Sequence, residues 1–218
     1  MLLMGTGGSR KQWLIRLGIL LSHELFHLWV PNSLTLAGDY DWFFEGFTLY
    51  LALLTDVRLG LISFDDYLET IGRVYRSYLL SPDADRLSLI EASERRWTSS
   101  PSLVYDKGLL VAFIYDLMIR SRTNCKSSLS DVYRELFRSQ STGQGNANET
   151  IIRLLSERAE MGAFVKEHVE GRGKLDFDSQ FSSYGLLVNT NDARPRLSVG
   201  DSLDRAQREL LVCMGHKN

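Results

Sequence analysis

The sequence predicts a mainly α domain closed by a short irregular or weakly β C-terminal tail. Three observations predict it. Apolar residues recur at helical spacing through several long stretches, and polar capping signals stand ahead of some of them. Past Gly171 the pattern breaks into Gly, Asp, Ser and Pro around short apolar runs such as Leu186-Leu187-Val188. With 218 residues, 44% apolar and 24% charged, the chain carries enough apolar side chain to offset the ordering entropy of one domain.

The first helix is expected over residues 12–30, stopped at Pro31, whose ring cannot continue the ladder. Read as a membrane span, this stretch would put Arg16, His23, Glu24 and His27 in hydrocarbon, at about 2 to 3 kcal/mol or more for a charge at the bilayer centre. It is therefore a buried helix of a soluble fold. Arg16 also interrupts the apolar run that a leader peptide needs, and no small-x-small site follows. Asp41 is the expected N-cap of a second helix from Trp42 to about Val57. Ser63 and Asp66 make a capping pair ahead of Tyr67, Leu68, Ile71, Val74, Tyr75 and Tyr78, a third helix. Pro82 and Pro101 bracket a less regular stretch, and a nearly apolar fourth helix runs from Asp106 to Ile119.

Ser128 and Asp131 repeat the capping signal for a fifth helix through Phe137, followed by a polar, glycine-containing loop from Ser139 to Asn148, read as mobile. Short helices are expected near Glu149 to Arg158 and Ala163 to Val169, and a last one at Ser202 to Val212. There is no internal repeat. Residues 1–180 read as one domain and residues 181–218 as its tail.

Charge excludes two partner classes. Lys and Arg total 25 against 27 Asp and Glu, a formal net charge of −2, so no basic field is present to hold nucleic acid or an anionic membrane. Cys125 and Cys213 are too few for a disulfide framework and lack metal spacing, which leaves the redox compartment open. With no leader or span read, a cytoplasmic location is the default and an exported parent protein stays open.

The chemistry sits on the first helix. His23-Glu24-Leu25-Phe26-His27 is an H-E-x-x-H motif. At about 100° per residue, positions four apart lie about 40° apart around a helix, so both imidazoles face one point and can ligate one metal. Glu24, turned away by about 100°, can reach a water there without being a ligand. Neutral imidazoles favour zinc, which in catalytic sites takes three protein ligands and a water, so one Zn2+ per chain is expected. Glu45 is the best third ligand: it lies near the start of the next helix, where a short loop would fold it over the first. Its neighbours Trp42, Phe43, Phe44 and Phe47 make an unpaired charge there costly. The plainer alternative is a glutamate answering a helix dipole.

These residues, with Glu45-Gly46-Phe47-Thr48 and the later Tyr105-Asp106-Lys107-Gly108, resemble the gluzincin metallopeptidases, and within them the glycyl aminopeptidase family, related to the membrane-alanyl type. The similarity runs from about residue 17 to about residue 188 and takes in Trp29, Arg58-Leu59-Gly60, Glu91-Ala92-Ser93, Trp97 and Leu129-Ser130-Asp131. It implies a thermolysin-like helical catalytic lobe with zinc on His23, His27 and Glu45. Glu24 would be general base and then proton donor, Tyr105 would stabilise the oxyanion, and the substrate would be a peptide.

The chain also departs from the family. The 17 residues between His27 and Glu45 are fewer than is usual, and Leu49 stands where relatives often carry an aspartate that orients a zinc histidine. Thr48, a backbone carbonyl or water must then serve. No Asp or Glu precedes His23 to capture an α-ammonium group, and the N-terminal β-rich domain of relatives has no counterpart here. Met4 to Ser9 is either the remnant of a substrate-lining segment or a frayed terminus. The leading reading is a zinc peptidase of aminopeptidase type. The alternatives are an open-cleft endopeptidase and an inactive zinc-binding module that holds peptides or partners. His168 and His216 are expected at the surface.

Overall fold

A computed structural model describes residues 9–34, 36–98, 101–139, 145–177, 181–189 and 195–217. The segment from Met4 to Gly8 and the centre of the loop after Ser139 lie outside the described residues. The architecture is mainly α, as the periodicity predicts. Helix α1 spans Arg10–Phe26, a π-helical segment Trp42–Phe47 leads into α2 at Thr48–Arg58, and α3 spans Phe64–Leu80. A short α4 (Leu89–Glu94) precedes the central α5 (Leu103–Arg122), then α6 (Leu129–Ser139) and α7 (Ala147–Glu157). Helix α8 (Gly162–Val165) continues as a second π-helical segment, Lys166–Glu170, and α9 spans Arg205–Cys213.

Strands are few. Strands β1 (Leu36–Ala37) and β2 (Gly145–Asn146) pair in parallel, Leu36 opposite Gly145. The antiparallel hairpin of β3 (Leu186–Asn189) and β4 (Arg196–Val199) forms the weakly β part of the tail and packs along α3, with Leu186 and Leu197 buried. No described helix is long and apolar enough to cross a membrane.

Several boundaries differ from the sequence reading. Helix α1 begins earlier, at a Ser9 and Gln12 capping box, and ends at Phe26. Residues 27–33 form a tight turn, with Val30 N–H donating to Phe26 and the His27 ring bonded to the Val30 carbonyl at 2.9 Å. Helix α4 starts from a Ser88 and Glu91 capping box inside the stretch expected to be irregular. Helix α5 begins at Leu103, so Tyr105 lies within its first turn and not ahead of it. Asp41 does not cap its helix, because its carboxylate is paired with Arg96. His168 is buried against Phe164, contrary to the expected surface position, and burial pushes its pKa down. The two cysteines, 88 residues apart, form a disulfide that ties the end of α5 to α9.

Helix α5 is the axis of the core, buried on nearly every face from Leu103 to Leu117. Its polar anchor is Asp116, which accepts hydrogen bonds from Tyr50 Oη (2.7 Å), Arg120 Nε (2.8 Å) and Leu129 N–H (2.7 Å), joining α2, α5 and α6. A close crossing in this core brings the Trp42–Phe47 segment onto the start of α5 at two glycines. A Cβ on Gly46 would stand 2.5 Å from the Val104 carbonyl oxygen and 2.6 Å from Gly108 Cα. One on Gly108 would stand 2.9 Å from the Trp42 carbonyl oxygen. Only glycine allows these backbones to touch, and the contact sets Glu45 beside Tyr105.

Candidate metal centre

Helix α1 buries His23 and Ile19 and leaves Leu21 and Leu25 exposed. Its 3.6-residue turn stacks His23 and His27 with ring centroids 4.4 Å apart. The π-helical segment lays Glu45 across them: Glu45 Oε2 is 3.0 Å from His23 Nε2 and 3.4 Å from His27 Nε2. Widened turns of this kind recur at functional sites, where they re-aim a side chain.

Two carboxylates therefore approach the imidazole pair. Glu24 is exposed, with its oxygen within 4.8 Å of the histidine nitrogens, whereas Glu45 is closer and buried. Ligands at 2.0 to 2.2 Å around a tetrahedral zinc stand about 3.3 to 3.6 Å apart. The distances from Glu45 Oε2 to the two imidazole nitrogens, 3.0 and 3.4 Å, come close to that spacing. The far sides of both rings are also held, as metal-binding histidines require. His27 Nδ1–H donates to the Val30 carbonyl, which turns Nε2 toward Glu45. The Thr48 hydroxyl donates to the Phe44 carbonyl, so its oxygen faces His23 Nδ1 at 3.4 Å as an acceptor. Thr48 and a backbone carbonyl thus contact the ring nitrogens opposite Glu45. The donor set fits zinc.

The electrostatics agree with a cation site. Burial pushes the Glu45 carboxyl up, but hydrogen bonds from His23 and His27 and the charge of Arg96 outweigh it and hold Glu45 well below the carboxylate range. Donating a proton to the Glu45 carboxylate chiefly raises His27, against the effect of burial. A divalent ion would take the place of that proton.

Tyr105 lies with its ring 6.4 Å from that of His23, and burial with the nearby Glu45 charge raises its hydroxyl to about 12, so it stays a donor. A cavity of about 450 Å³ opens beside the site, lined by His23, Glu24 and Tyr105 with Ile19, Leu53 and Leu109. The structure thus brings together all five residues singled out from the sequence: His23, Glu24, His27, Glu45 and Tyr105.

One residue escaped the sequence reading. Arg96 donates from Nη2 to Glu45 Oε1 at 2.6 Å and to Tyr105 Oη at 2.7 Å, and its Nη1 pairs with Asp41. Its only visible signal was a basic residue in an irregular stretch beside Trp97, over whose ring it lies at 4.6 Å.

The sequence and the fold have counterparts among known proteins. Residues 16–111 match the M61 glycyl aminopeptidase family. That stretch includes all six residues above. A crystal structure of an aminopeptidase N family protein from Idiomarina loihiensis superposes with a TM-score of 0.70 at 23% identity, which establishes the likeness of fold. The alignment covers 85% of this chain and 36% of that one, so this chain spans about a third of the length of that relative. No curated protein shows significant similarity to it. Residues 16–111 thus resemble the M61 glycyl aminopeptidase family in sequence, and the fold resembles that of an aminopeptidase N family protein.

Proposed function

We propose that this chain hydrolyses peptide bonds as a zinc-dependent, aminopeptidase-like enzyme of gluzincin type. The observation that carries the reading is the approach of Glu45 Oε2 to 3.0 Å from His23 Nε2 and 3.4 Å from His27 Nε2, beside a cavity that also receives Glu24 and Tyr105. The family match and the name of the solved relative favour an aminopeptidase over an endopeptidase.

His23, His27 and Glu45 would hold the zinc, with Val30 and Thr48 fixing the imidazole orientations. Zinc, when bound, supplies a Lewis acid for the scissile carbonyl and brings the pKa of water to about 7. Glu24, exposed to the cavity and next to His23 in the chain, takes the proton from the attacking water and delivers it to the leaving amine. Tyr105 donates its phenolic hydrogen to the carbonyl oxygen as negative charge develops there. Ile19, Leu53 and Leu109 give the cavity an apolar lining for a substrate side chain and exclude bulk water from it.

The test is Glu24→Gln, which keeps the shape and removes the base. It should retain one zinc per chain and lose turnover by about 10²-fold or more. A variant that hydrolyses peptides at the wild-type rate would refute the assignment of Glu24.

A further inference from the structure

Arg96 belongs to none of the motifs that carry the proposed chemistry, yet it touches two residues that do. Its side chain is 11% exposed. The guanidinium is held on three sides: by the Asp41 carboxylate, by the Trp97 ring 4.6 Å away and by the Tyr105 ring 5.4 Å away. One nitrogen, Nη2, serves both Glu45 Oε1 and Tyr105 Oη. We propose that Arg96 is a positioning residue of the metal centre, aiming one oxygen of Glu45 at the metal and the Tyr105 hydroxyl proton at the reacting carbonyl.

Donors and acceptors decide the arrangement. A guanidinium donates from every nitrogen and accepts nothing. The Tyr105 oxygen must therefore be the acceptor in its bond to Arg96, and its single proton has to point away from the guanidinium, on a side chain that lines the cavity. Without Arg96, the phenol is free to rotate that proton out of the site. Glu45 is divided in the same way. Oε1 is occupied by Arg96 at 2.6 Å, while Oε2 faces the two imidazoles at 3.0 and 3.4 Å. That division favours ligation through one oxygen and leaves room for water and substrate.

Asp41 completes the device. It balances the guanidinium, and it stands at the entry of the π-helical segment that carries Glu45, so the arginine clamps this segment to the start of α5. The planar fork matters. Two nitrogens of Arg96 serve three acceptors, whereas a lysine ammonium has one nitrogen and cannot reproduce the geometry.

This proposal rests on the zinc reading, and its test separates the two. Full-length wild type, Arg96→Gln, Arg96→Lys, Tyr105→Phe and the Arg96→Gln/Tyr105→Phe double variant are loaded with cobalt(II) and compared by visible absorption and thermal melting. Turnover of glycyl- and alanyl-p-nitroanilide is measured on the zinc forms. Arg96→Gln should alter the cobalt spectrum and lower kcat about 10- to 100-fold, the usual effect of losing a group that orients a ligand. KM should stay within about twofold, since the interaction lost is one made in the transition state. Arg96→Lys should not restore either readout. In the Tyr105→Phe background the same substitution should cost less than in wild type by the share that acts through the phenol, while the change in the cobalt spectrum, which comes through Glu45, should remain.

A cobalt spectrum and kcat unchanged in Arg96→Gln, with only a lower melting temperature, would reduce Arg96 to a structural strut and overturn the proposal. The cobalt spectrum decides alone where hydrolysis of these two substrates is too slow to follow. A wild type that takes up no metal would overturn the zinc reading, and the role of Arg96 with it.

Discussion

The sharpest stability test lies where the two backbones touch. Gly46→Ala would place a methyl group 2.6 Å from Gly108 Cα and 2.5 Å from the Val104 carbonyl oxygen. Carbon atoms pack at about 3.5 to 4.0 Å, so the π-helical segment and α5 must part by about 1 Å. Both neighbours are backbone and cannot swing aside, and overpacking of this kind costs about 1 to 3 kcal/mol. The functional loss should be larger than the stability loss. Glu45 rides on the displaced segment and Tyr105 on the other, and metal sites tolerate only about 0.2 Å in ligand distance. Gly18→Ala is the control, in the helix that carries both histidines. Its Cβ meets nothing within 4 Å, so it should stabilise by about 0.5 to 1 kcal/mol through helix propensity. Urea unfolding gives the stability and chelator competition the zinc affinity. Gly46→Ala that unfolds at the wild-type midpoint and binds zinc as tightly would refute the close crossing as the device that sets Glu45 beside Tyr105.

Two further predictions concern the core. Burial raises Asp106 to about 6 against the opposing hydrogen bond from Ser77, so the folded state binds more protons than the unfolded one between the ordinary carboxylate pKa and pH 6. Its favourable contribution is complete below about pH 4 and lost as the pH rises through 6, a change on the order of 3 kcal/mol. Asp106→Asn should flatten that limb of a stability-versus-pH curve and be more stable than wild type at pH 7; an unchanged curve would contradict it. Removing the disulfide by Cys125→Ser/Cys213→Ser opens a loop of 88 residues and should lower unfolding stability by up to about 4 to 5 kcal/mol, read as a shifted urea midpoint. Identical midpoints would show that the crosslink does not constrain the unfolded chain.

What was legible in the sequence was what is local. The capping pairs at Ser63 and Ser128 mark true helix starts, and the four-residue spacing of His23 and His27 is enough to put both rings on one face of α1. Glu45 could be nominated because the loop before it is short. The π-helical form of its segment could not, because the widened turns accompany a backbone crossing between Gly46 and Gly108, 62 positions apart in the chain. Arg96 was hidden for a similar reason: its acceptors Glu45 and Asp41 lie 51 and 55 residues away. The same long-range pairing explains why Asp41 caps nothing. Helix α4 was missed because six residues between two prolines give too little periodicity to read, although its capping box was present in Ser88 and Glu91.

The central claim is that His23, His27 and Glu45 form one zinc site. Elemental analysis of the purified chain beside Glu45→Ala tests it most directly. The account predicts one zinc per wild-type chain, lost or weakly held in the variant, since an open catalytic site needs three protein ligands. A wild type that holds no zinc after reconstitution, or a Glu45→Ala variant that holds it as tightly as wild type, would contradict it.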